Sequence, residues 1–206
     1  YTEGGGGRPG DTDVWVSMAG LNVPTFHRWA ALAGRVPRIA VNHGFCFAGN
    51  AALFGAADLR IATEASCIGM AGPAMIEGGG LGSWEPQDIG PVSVHRENGV
   101  VDIVVADEAE ATLMAKRVLA YVQGSVADWQ AADQSELAAL MPTNRRYAFN
   151  VRKIIRHLFD TESFIETRLD MGRAIITGLA RVEGLAVAVL ASDCCHLGGA
   201  IDGESA

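Results

Sequence analysis

Residues 35–82 carry the pattern that most restricts how this chain can fold, because short apolar segments alternate there with glycine-containing turns. The pattern predicts, in chain order, a buried strand at 36–41, a turn at 42–44, a helix of small apolar residues at 45–57, a strand at 59–62 and a glycine-rich loop at 77–82. This order leaves the first amides of the helix, near Gly49 and Asn50, without partners inside the helix. Such amides can stabilise negative charge that develops on an oxygen atom.

Four sequence motifs together resemble one known family. AGNAALFGAADLRIAT at 48–63 and IGMAGPAMIEGGGLG at 68–82 resemble the carboxyltransferase domain of biotin-dependent acyl-CoA carboxylases, which lies within the crotonase superfamily. EGGGGRPGDTD at 3–13 and HLGGAID at 196–202 resemble flanking parts of the same domain. The resemblance therefore covers nearly the whole chain.

The resemblance implies an α/β fold of the crotonase type, which is a superhelix of ββα units. It implies a first crotonase-like half at 1–124 on the acyl-CoA side, with its start missing, then a connector at 125–143. The beginning of a second half, on the biotin side and truncated, is expected at 144–206. Because the chain starts at Tyr1 inside a motif and stops just after a glycine loop, a fragment of a longer protein is expected.

A carboxyltransferase of this family moves CO₂ from carboxybiotin to the α-carbon of an acyl-CoA through an enolate. The resemblance implies biotin as the cofactor, carried on a separate domain or subunit, a coenzyme A thioester as the substrate, and no metal in this part. The implied partners are biotin carboxylase and biotin carboxyl carrier domains or subunits. A homo-oligomer with the site at a subunit interface is also implied, and the fragment alone is expected to be inactive.

The resemblance assigns roles to three groups of residues. The thioester oxygen is expected on the backbone amides of Gly49 and Asn50, because amides are fixed in place and carry no titratable proton. Substrate-binding residues are expected at Gly6, Gly7, Phe47, Ala48, Gly79 and Gly80, and cofactor-binding residues at Gly198, Gly199 and Ala200. Many related carboxylases have glycine where Asn50 stands, so its side chain is expected to narrow the acyl pocket.

Other interpretations stay open at this point. A hydratase is disfavoured, because Ala52 stands where related hydratases carry a glutamate, and the loop at 69–72 has no carboxylate to act as a second acid or base. A biotin-dependent acyl-CoA decarboxylase and a non-catalytic assembly fragment are the remaining alternatives. Locally, Asn50 could be a helix N-cap and the loop at 77–82 a surface turn.

Composition narrows the class of protein further. The formal net charge of −8 indicates no general affinity for nucleic acid, and the sequence has no apolar run of membrane length. The four cysteines lack the CxxC spacing of a zinc ribbon; they are Cys46, Cys67, Cys194 and Cys195. Because the adjacent Cys194 and Cys195 rarely form a disulfide with each other, a reduced, cytoplasmic protein is expected. The histidines lack the spacing of a metal site, and His43 is the one nearest to the expected site.

Local signals predict the remaining elements. They are a helix at 25–33, strands at 91–95 and 100–105, a helix that Asp107 and Glu110 cap and Gly124 ends, a helix at 144–159, and a hairpin of strands 174–182 and 185–191. Glu183 and Gly184 are the predicted hairpin turn. Arg152 is expected on the solvent face of its helix.

Overall fold

The computed structural model describes residues 1–6, 24–144 and 146–206. These residues form two compact units, Tyr1–Lys116 and Arg117–Ala206. Within these described residues the first unit contains two sheets and the second contains one, and each unit has its own buried apolar cluster.

The first unit alternates short strands with short helices. Its strands are β1 (Ile39–Asn42), β2 (Phe45–Phe47), β3 (Leu59–Thr63), β4 (Cys67–Gly69) and β5 (Ile103–Val105). Its helices are α1 (Pro24–Ala31), α2 (Gly49–Gly55), α3 (Pro73–Gly78), α4 (Val92–Glu97) and α5 (Glu108–Ala120), the last of which contains the boundary between the units. β1, β3 and β5 pair in parallel, and β2 pairs in parallel with β4. Parallel strands connected through helices agree with the predicted α/β class.

The core of the first unit explains why α2 is built from small residues. Phe54 is the one large side chain that α2 buries completely, while Ala51 is also buried. Both belong to the cluster that contains Ala40 of β1 and Ala62 of β3. Short side chains let the helix lie close to the sheet, which places the start of α2 next to the ends of β2 and β4.

Two predictions for the first unit are wrong. Residues 45–47 form β2 rather than the start of a helix, because Phe45, Cys46 and Phe47 pair in register with β4. Residues 91–95 form the beginning of α4 rather than a strand. Pro91 precedes this helix, and the Val92 N–H donates to the Ser66 carbonyl at 2.9 Å, which fixes the chain where it enters the helix.

The predicted cap of α5 is confirmed. The Glu110 N–H donates to Asp107 Oδ1 at 2.9 Å, and the Ala106 N–H donates to Glu110 Oε2 at 3.1 Å. Both amides precede the first intrahelical hydrogen bonds and need such acceptors. The helix ends at Ala120, four residues before the predicted end at Gly124.

The second unit is an antiparallel sheet packed on a helix. Its strands are β6 (Ile165–Thr167), β7 (Ile175–Val182) and β8 (Leu185–Ser192), and its helices are α6 (Leu137–Leu140) and α7 (Val151–Leu158). The predicted hairpin is confirmed, with Val182 opposite Leu185 and positive φ angles at Glu183 (49°) and Gly184 (78°), as a type I′ turn requires. The helix predicted at 144–159 is shorter and starts after Asn150, whose side chain caps it.

Arg152 was predicted on the solvent face, and the structure contradicts this. Its guanidinium Nη2 lies 2.6 Å from Glu166 Oε1, and its Nη1 lies 2.5 Å from Asp193 Oδ2. The hydrogen bonds to Glu166 are the main reason why the pKa of Arg152 is raised above its usual value. This ion pair network ties α7 to β6 and to the end of β8.

Candidate functional site

The chain turns sharply between β2 and α2, and the N-terminal segment lies along this turn. The Gly4 N–H donates to the Phe45 carbonyl at 2.7 Å, and the Phe47 N–H donates to the Gly4 carbonyl at 3.0 Å. On the other side, the Ala48 N–H donates to the Gly69 carbonyl at 2.9 Å. The turn is therefore held between two neighbouring backbone segments.

Ala48 occupies the N-cap position of α2 with a strained backbone. Its φ of 55° lies in the left-handed region that L-residues other than glycine rarely adopt, and its side chain cannot cap the helix. Further along the helix, the Ala52 N–H donates to the Ala48 carbonyl at 3.1 Å. Among the described residues, no acceptor is found for the amides of Gly49 and Asn50.

This geometry decides one local alternative. Asn50 is the second residue of α2 and not its N-cap, so its side-chain oxygen does not cap the helix. Its side chain instead lies against Gly4, where an added Cβ would be only 2.2 Å from Asn50 Nδ2. The side chain thus fills the space over the N-terminal glycine segment, while the Asn50 amide has no acceptor in the described part of the chain.

Glycine is needed at the neighbouring positions because the segments approach so closely. A Cβ on Gly49 would lie 2.8 Å from Phe26 Cζ, and a Cβ on Gly6, which has a φ of 78°, would lie 3.0 Å from the Ala48 Cβ. The structure therefore brings together five of the predicted residues, which are Gly6, Phe47, Ala48, Gly49 and Asn50. Gly7, which was also predicted, lies outside the described residues.

His43 lies at the turn before β2 and has structural partners. Its Nδ1 is 3.1 Å from Thr63 Oγ1, and its backbone N–H donates to Glu3 Oε1 at 3.1 Å. These bonds connect the N-terminal segment to β3. In the described part of the chain, His43 has no hydrogen bond to the amides of Gly49 and Asn50. Its hydrogen bonds therefore indicate that His43 stabilises the turn.

Gly79 and Gly80 follow directly after α3, and the amides of Gly80 and Leu81 cap the C-terminus of this helix. The Gly80 N–H donates to the Glu77 carbonyl at 2.9 Å, and the Leu81 N–H donates to the Ile76 carbonyl at 3.1 Å. This pair of bonds defines the Schellman motif, which requires the left-handed φ of 71° that Gly80 has. The loop predicted at 77–82 therefore starts only after Gly78, and Gly80 has a structural function of its own.

Two glycines in this segment are expected to respond oppositely to replacement by alanine. Gly80→Ala should lower the free energy of unfolding by about 1–2 kcal/mol, the cost of a left-handed L-residue. Gly78→Ala should raise it by up to about 1 kcal/mol, because Gly78 is helical and its Cβ would meet no atom within 4 Å. Urea unfolding followed by tryptophan fluorescence measures both. Equal effects of the two substitutions would contradict the assignment of Gly80 as the cap.

Large apolar side chains are exposed around α3, a feature that the sequence patterns did not single out. Those with more than half of their surface exposed are Met70 (70%), Met75 (57%), Leu81 (73%) and Trp84 (53%), here called the α3 apolar set. The segment that carries them adjoins the turn, since a Cβ on Gly72 would lie 3.6 Å from both the Gly5 carbonyl oxygen and the Phe47 ring. Trp84 Nε1 donates to the Leu81 carbonyl at 3.1 Å, which folds the loop after α3 back on itself.

The predicted cofactor-binding residues lie in a glycine loop of the second unit. Gly198 and Gly199 both have left-handed φ angles, 67° and 90°. The Gly199 N–H donates to the His196 carbonyl at 2.7 Å and the Ala200 N–H to the Leu197 carbonyl at 3.4 Å. In the described residues no acceptor is found for the Gly198 amide, and a Cβ there would meet no atom within 4 Å.

His196 and Asp202 close the base of this loop. Their side chains lie 2.9 Å apart, from Nε2 to Oδ2, and the Ser205 N–H donates to Asp202 Oδ1 at 3.0 Å. Hydrogen bonding by the Ser205 side chain, and then by His196, lowers the pKa of Asp202 to about 2. The two polar residues at the ends of the HLGGAID motif therefore hold the glycines between them.

The Asp202 carboxyl should show this low pKa directly. Because the folded pKa is below the usual 3.8, the ionised carboxylate stabilises the loop at neutral pH, and this contribution is lost as the pH falls from about 4 towards 2. An NMR titration of the side-chain carboxyl carbon should give a midpoint near 2, and Ser205→Ala and His196→Phe should each move it upward. A midpoint near 4 in the unaltered protein would contradict the hydrogen bonds described.

The second unit also contains a cavity of about 660 Å³. Tyr121, Trp129 and Arg181 lie in its wall, together with Asp160. The buried charges there have protein partners: Arg181 donates to the Ala120 and Gly184 carbonyls, and Asp160 accepts from the Glu183 and Gly184 amides. None of the predicted site residues is among its described lining residues.

Two kinds of site are not found in the described part of the chain. Residues 1–6, 24–144 and 146–206 contain no group of three or more His, Cys, Asp or Glu side chains placed to hold a metal ion. The same residues include no helix that is both long enough and apolar enough to cross a membrane.

A sequence model of the carboxyl transferase domain matches residues 2–206. The chain belongs to the carboxyl transferase domain family. Among curated relatives, the mitochondrial methylcrotonoyl-CoA carboxylase beta chain of Dictyostelium discoideum is 29% identical over 92% of this chain and 34% of its own length. The propionyl-CoA carboxylase beta chain of Rhodococcus erythropolis is 30% identical over 88% of this chain and 40% of its own length. This carboxyl transferase chain therefore spans well under half of these relatives.

Solved structures agree with the family and the fold. The structure of a single-chain, multi-domain long-chain acyl-CoA carboxylase matches 97% of this carboxyl transferase chain with a TM-score of 0.90 and 50% identity, and this chain covers 20% of it. Transcarboxylase 12S matches 92% of the chain with a TM-score of 0.77 at 23% identity, which supports the fold alone. The predicted family and the crotonase-like α/β fold are confirmed.

Proposed function

We propose that this chain contributes the acyl-CoA side of a biotin-dependent acyl-CoA carboxyltransferase. The observation that carries the proposal is the pair of amides at Gly49 and Asn50, which have no acceptor among the described residues and follow the strained Ala48 turn in a member of the carboxyl transferase family. Donors of this kind are already oriented before the substrate binds, so they stabilise an oxyanion without further reorganisation.

The chemical role of the turn follows from its geometry. When the α-carbon of an acyl thioester loses its proton, negative charge collects on the thioester oxygen. The Gly49 and Asn50 amides would hold that oxygen, and the Gly6 backbone beside Ala48 leaves room for the thioester because glycine adds no side chain. Gly7, Gly79 and Gly80 stay predictions as substrate contacts, and the cap geometry gives Gly80 a second, structural reason to be glycine.

Biotin fits the glycine loop of the second unit in part. The Gly198 amide has no acceptor among the described residues and has open space above it, as a ureido oxygen would require, whereas the amides of Gly199 and Ala200 already donate to the carbonyls of His196 and Leu197. We therefore propose the Gly198 amide as the donor in this loop, with Gly199 providing the left-handed backbone. Carboxylated biotin, when bound, would supply the CO₂.

A long acyl chain is the substrate class that we favour. The relative that is 50% identical is a long-chain acyl-CoA carboxylase. The α3 apolar set lies on the segment that adjoins the turn at Gly72, and its two methionines are flexible side chains suited to alkyl groups. Burying each methylene of a chain against such a surface contributes about 0.8 kcal/mol.

The proposal extends to partners that the chain itself does not contain. A biotin carboxylase and a biotin carboxyl carrier, as domains or subunits, would deliver the carboxyl group, and a homo-oligomer would complete the site. A relative named as the beta6 subunit of a biotin-dependent acetyl-/propionyl-CoA carboxylase supports the part of this proposal in which biotin chemistry is shared between subunits. A cytoplasmic location is proposed because the structure leaves all four cysteines as free thiols, which is usual where thiols are kept reduced.

The test is carboxylation by the full-length protein. With its biotin, ATP and radiolabelled bicarbonate, it should label palmitoyl-CoA with at least about tenfold higher kcat/KM than propionyl-CoA, a difference of about 1.4 kcal/mol. Met75→Gln combined with Leu81→Gln should reduce that ratio, whereas Leu113→Gln, equally exposed on α5, should not. Labelling of no acyl-CoA would contradict the carboxyltransferase proposal, and an unchanged ratio in the Met75, Leu81 variant would contradict the role of the apolar set alone.

A further inference from the structure

Two neighbouring cysteines in the second unit share one hydrogen-bond acceptor. The Cys194 thiol donates to the Phe149 carbonyl at 3.2 Å, and the Cys195 thiol donates to the same oxygen at 3.3 Å. The Phe149 N–H donates back to Cys194 Sγ at 3.3 Å. Because one oxygen atom accepts from both thiols, the two sulfur atoms lie on the same side of the chain and close together.

Cys194 and Cys195 are the two cysteines that solvent can reach. Cys195 is exposed and Cys194 is half-buried, whereas Cys46 and Cys67 are buried. All four cysteines are unpaired. A reagent that enters from solvent therefore meets Cys194 and Cys195 first.

The segment on either side of the pair is anchored. Before it, the buried Asp193 accepts from Arg152 and its N–H donates to the Ala174 carbonyl at 2.8 Å. After it, His196 is bonded to Asp202 at the base of the glycine loop. These two anchored residues, three positions apart, restrict how far the thiols can separate. A ligand that binds both thiols therefore loses less conformational entropy than it would on a mobile segment.

We propose that Cys194 and Cys195 form a dithiol site. It would bind a compound whose central atom prefers sulfur ligands and needs only two of them, such as a trivalent organoarsenical. In the reaction with an arsine oxide, the As–O double bond and two S–H bonds break, two As–S bonds form, and the oxygen leaves as water with the two thiol protons. Arsenic stays trivalent, so no oxidant or reductant is needed.

The surroundings select this class of ligand over others. Within the described residues no third Cys, His, Asp or Glu completes a site for a tetrahedral metal such as zinc. Desolvation, and then the carboxylate of Asp193, raise the pKa of the Cys195 thiol, so at neutral pH it is mainly the protonated thiol that an arsine oxide meets. A disulfide between adjacent residues would close a smaller, more strained ring than a bridge through a large arsenic atom.

The first experiment uses phenylarsine oxide and the full-length protein. Native mass spectrometry and peptide mapping should show one phenylarsenic group on the peptide that contains both cysteines, with both thiols consumed. Cys194→Ser and Cys195→Ser should each weaken binding by about 10²–10⁴-fold, because the second As–S bond is lost. Equal binding by either single variant, or an adduct on Cys46 or Cys67, would overturn the proposal.

A second measurement needs no substitution and covers the case in which a variant fails to fold. Bound phenylarsine should protect both Cys194 and Cys195 of the unaltered protein from maleimide, and an added dithiol should restore labelling of both. Protection of one thiol only would also overturn the proposal. Carboxyl transfer should fall in parallel if the nearby Gly198 loop serves that reaction; an intact adduct with full turnover would contradict the role of the loop and leave the dithiol site standing.

Discussion

Replacing Asn50 with proline is expected to leave the protein folded and to lower carboxyl transfer by about 10²–10³-fold, or roughly 2.7–4 kcal/mol. Proline removes the amide hydrogen that is proposed to hold the thioester oxygen. It removes no hydrogen bond of the described structure, because the Asn50 amide has no acceptor there. Proline is also compatible with the first turn of a helix, where Asn50 lies.

Asn50→Ala and Asn50→Gly are the matched controls, because both keep the backbone amide. Each should change turnover by less than about threefold, although the preference for acyl groups should shift once the side chain over Gly4 is gone. Circular dichroism verifies folding, and steady-state carboxylation by the full-length protein gives kcat and KM. Normal turnover by a folded Asn50→Pro variant would show that the amide does not hold the oxyanion.

The β7–β8 hairpin turn and the cap of α5, which depend on local sequence, were predicted correctly. Glu183 and Gly184 form the hairpin turn, and the second of the two positive φ angles of a type I′ turn falls on glycine, which adopts it readily. Asp107 and Glu110 cap α5 because their carboxylates satisfy amides within a few residues. In both cases the residues that make the turn or the cap are close in sequence, so the local pattern was enough to predict where the turn and the cap lie.

The wrong predictions involve partners that are distant in sequence. Phe45, Cys46 and Phe47 continue the apolar run of α2, and only their pairing with β4 and with Gly4 makes them a strand. A short apolar run is ambiguous between helix and strand for this reason. Arg152 looked solvent-exposed because its acidic partners come from β6 and from the end of β8, which the helix pattern does not show.

The candidate site was predictable only as far as the motifs reached. They pointed to Ala48, Gly49 and Asn50 as candidates, and the structure has a strained turn there, followed by two amides for which the described residues provide no acceptor. The glycine motif at 77–82 gave no indication that Gly80 is a helix cap, because a cap glycine and a ligand-binding glycine have the same sequence appearance. The shared acceptor of Cys194 and Cys195 is likewise invisible in sequence, since Phe149 lies far away along the chain.

The largest effect on stability is expected at Gly184, in the hairpin turn of the second unit. A Cβ there would lie 1.9 Å from the Val126 carbonyl oxygen, and this oxygen is backbone that cannot rotate away. The turn is further fixed because the Gly184 N–H donates to Asp160 Oδ2 at 2.8 Å and the Gly184 carbonyl accepts from the Val126 N–H at 3.1 Å. Alanine would have to break these bonds or displace the 126 segment.

Gly184→Ala should therefore destabilise the β7–β8 hairpin by more than about 4 kcal/mol, a size reserved for severe core or backbone conflicts. Gly198→Ala is the matched control, because its φ of 67° is close to the 78° of Gly184 but its Cβ would meet no atom within 4 Å. It should cost only the left-handed strain of about 1–2 kcal/mol.

Hydrogen exchange of the β7 and β8 amides should accelerate by about 10³-fold in the first variant, because each tenfold increase in exchange rate corresponds to about 1.4 kcal/mol of lost stability. The second variant should show a change confined to its own loop. If the two variants exchanged alike, the close approach of the 126 segment to the turn would be wrong, and left-handed strain alone would account for the glycine at both positions.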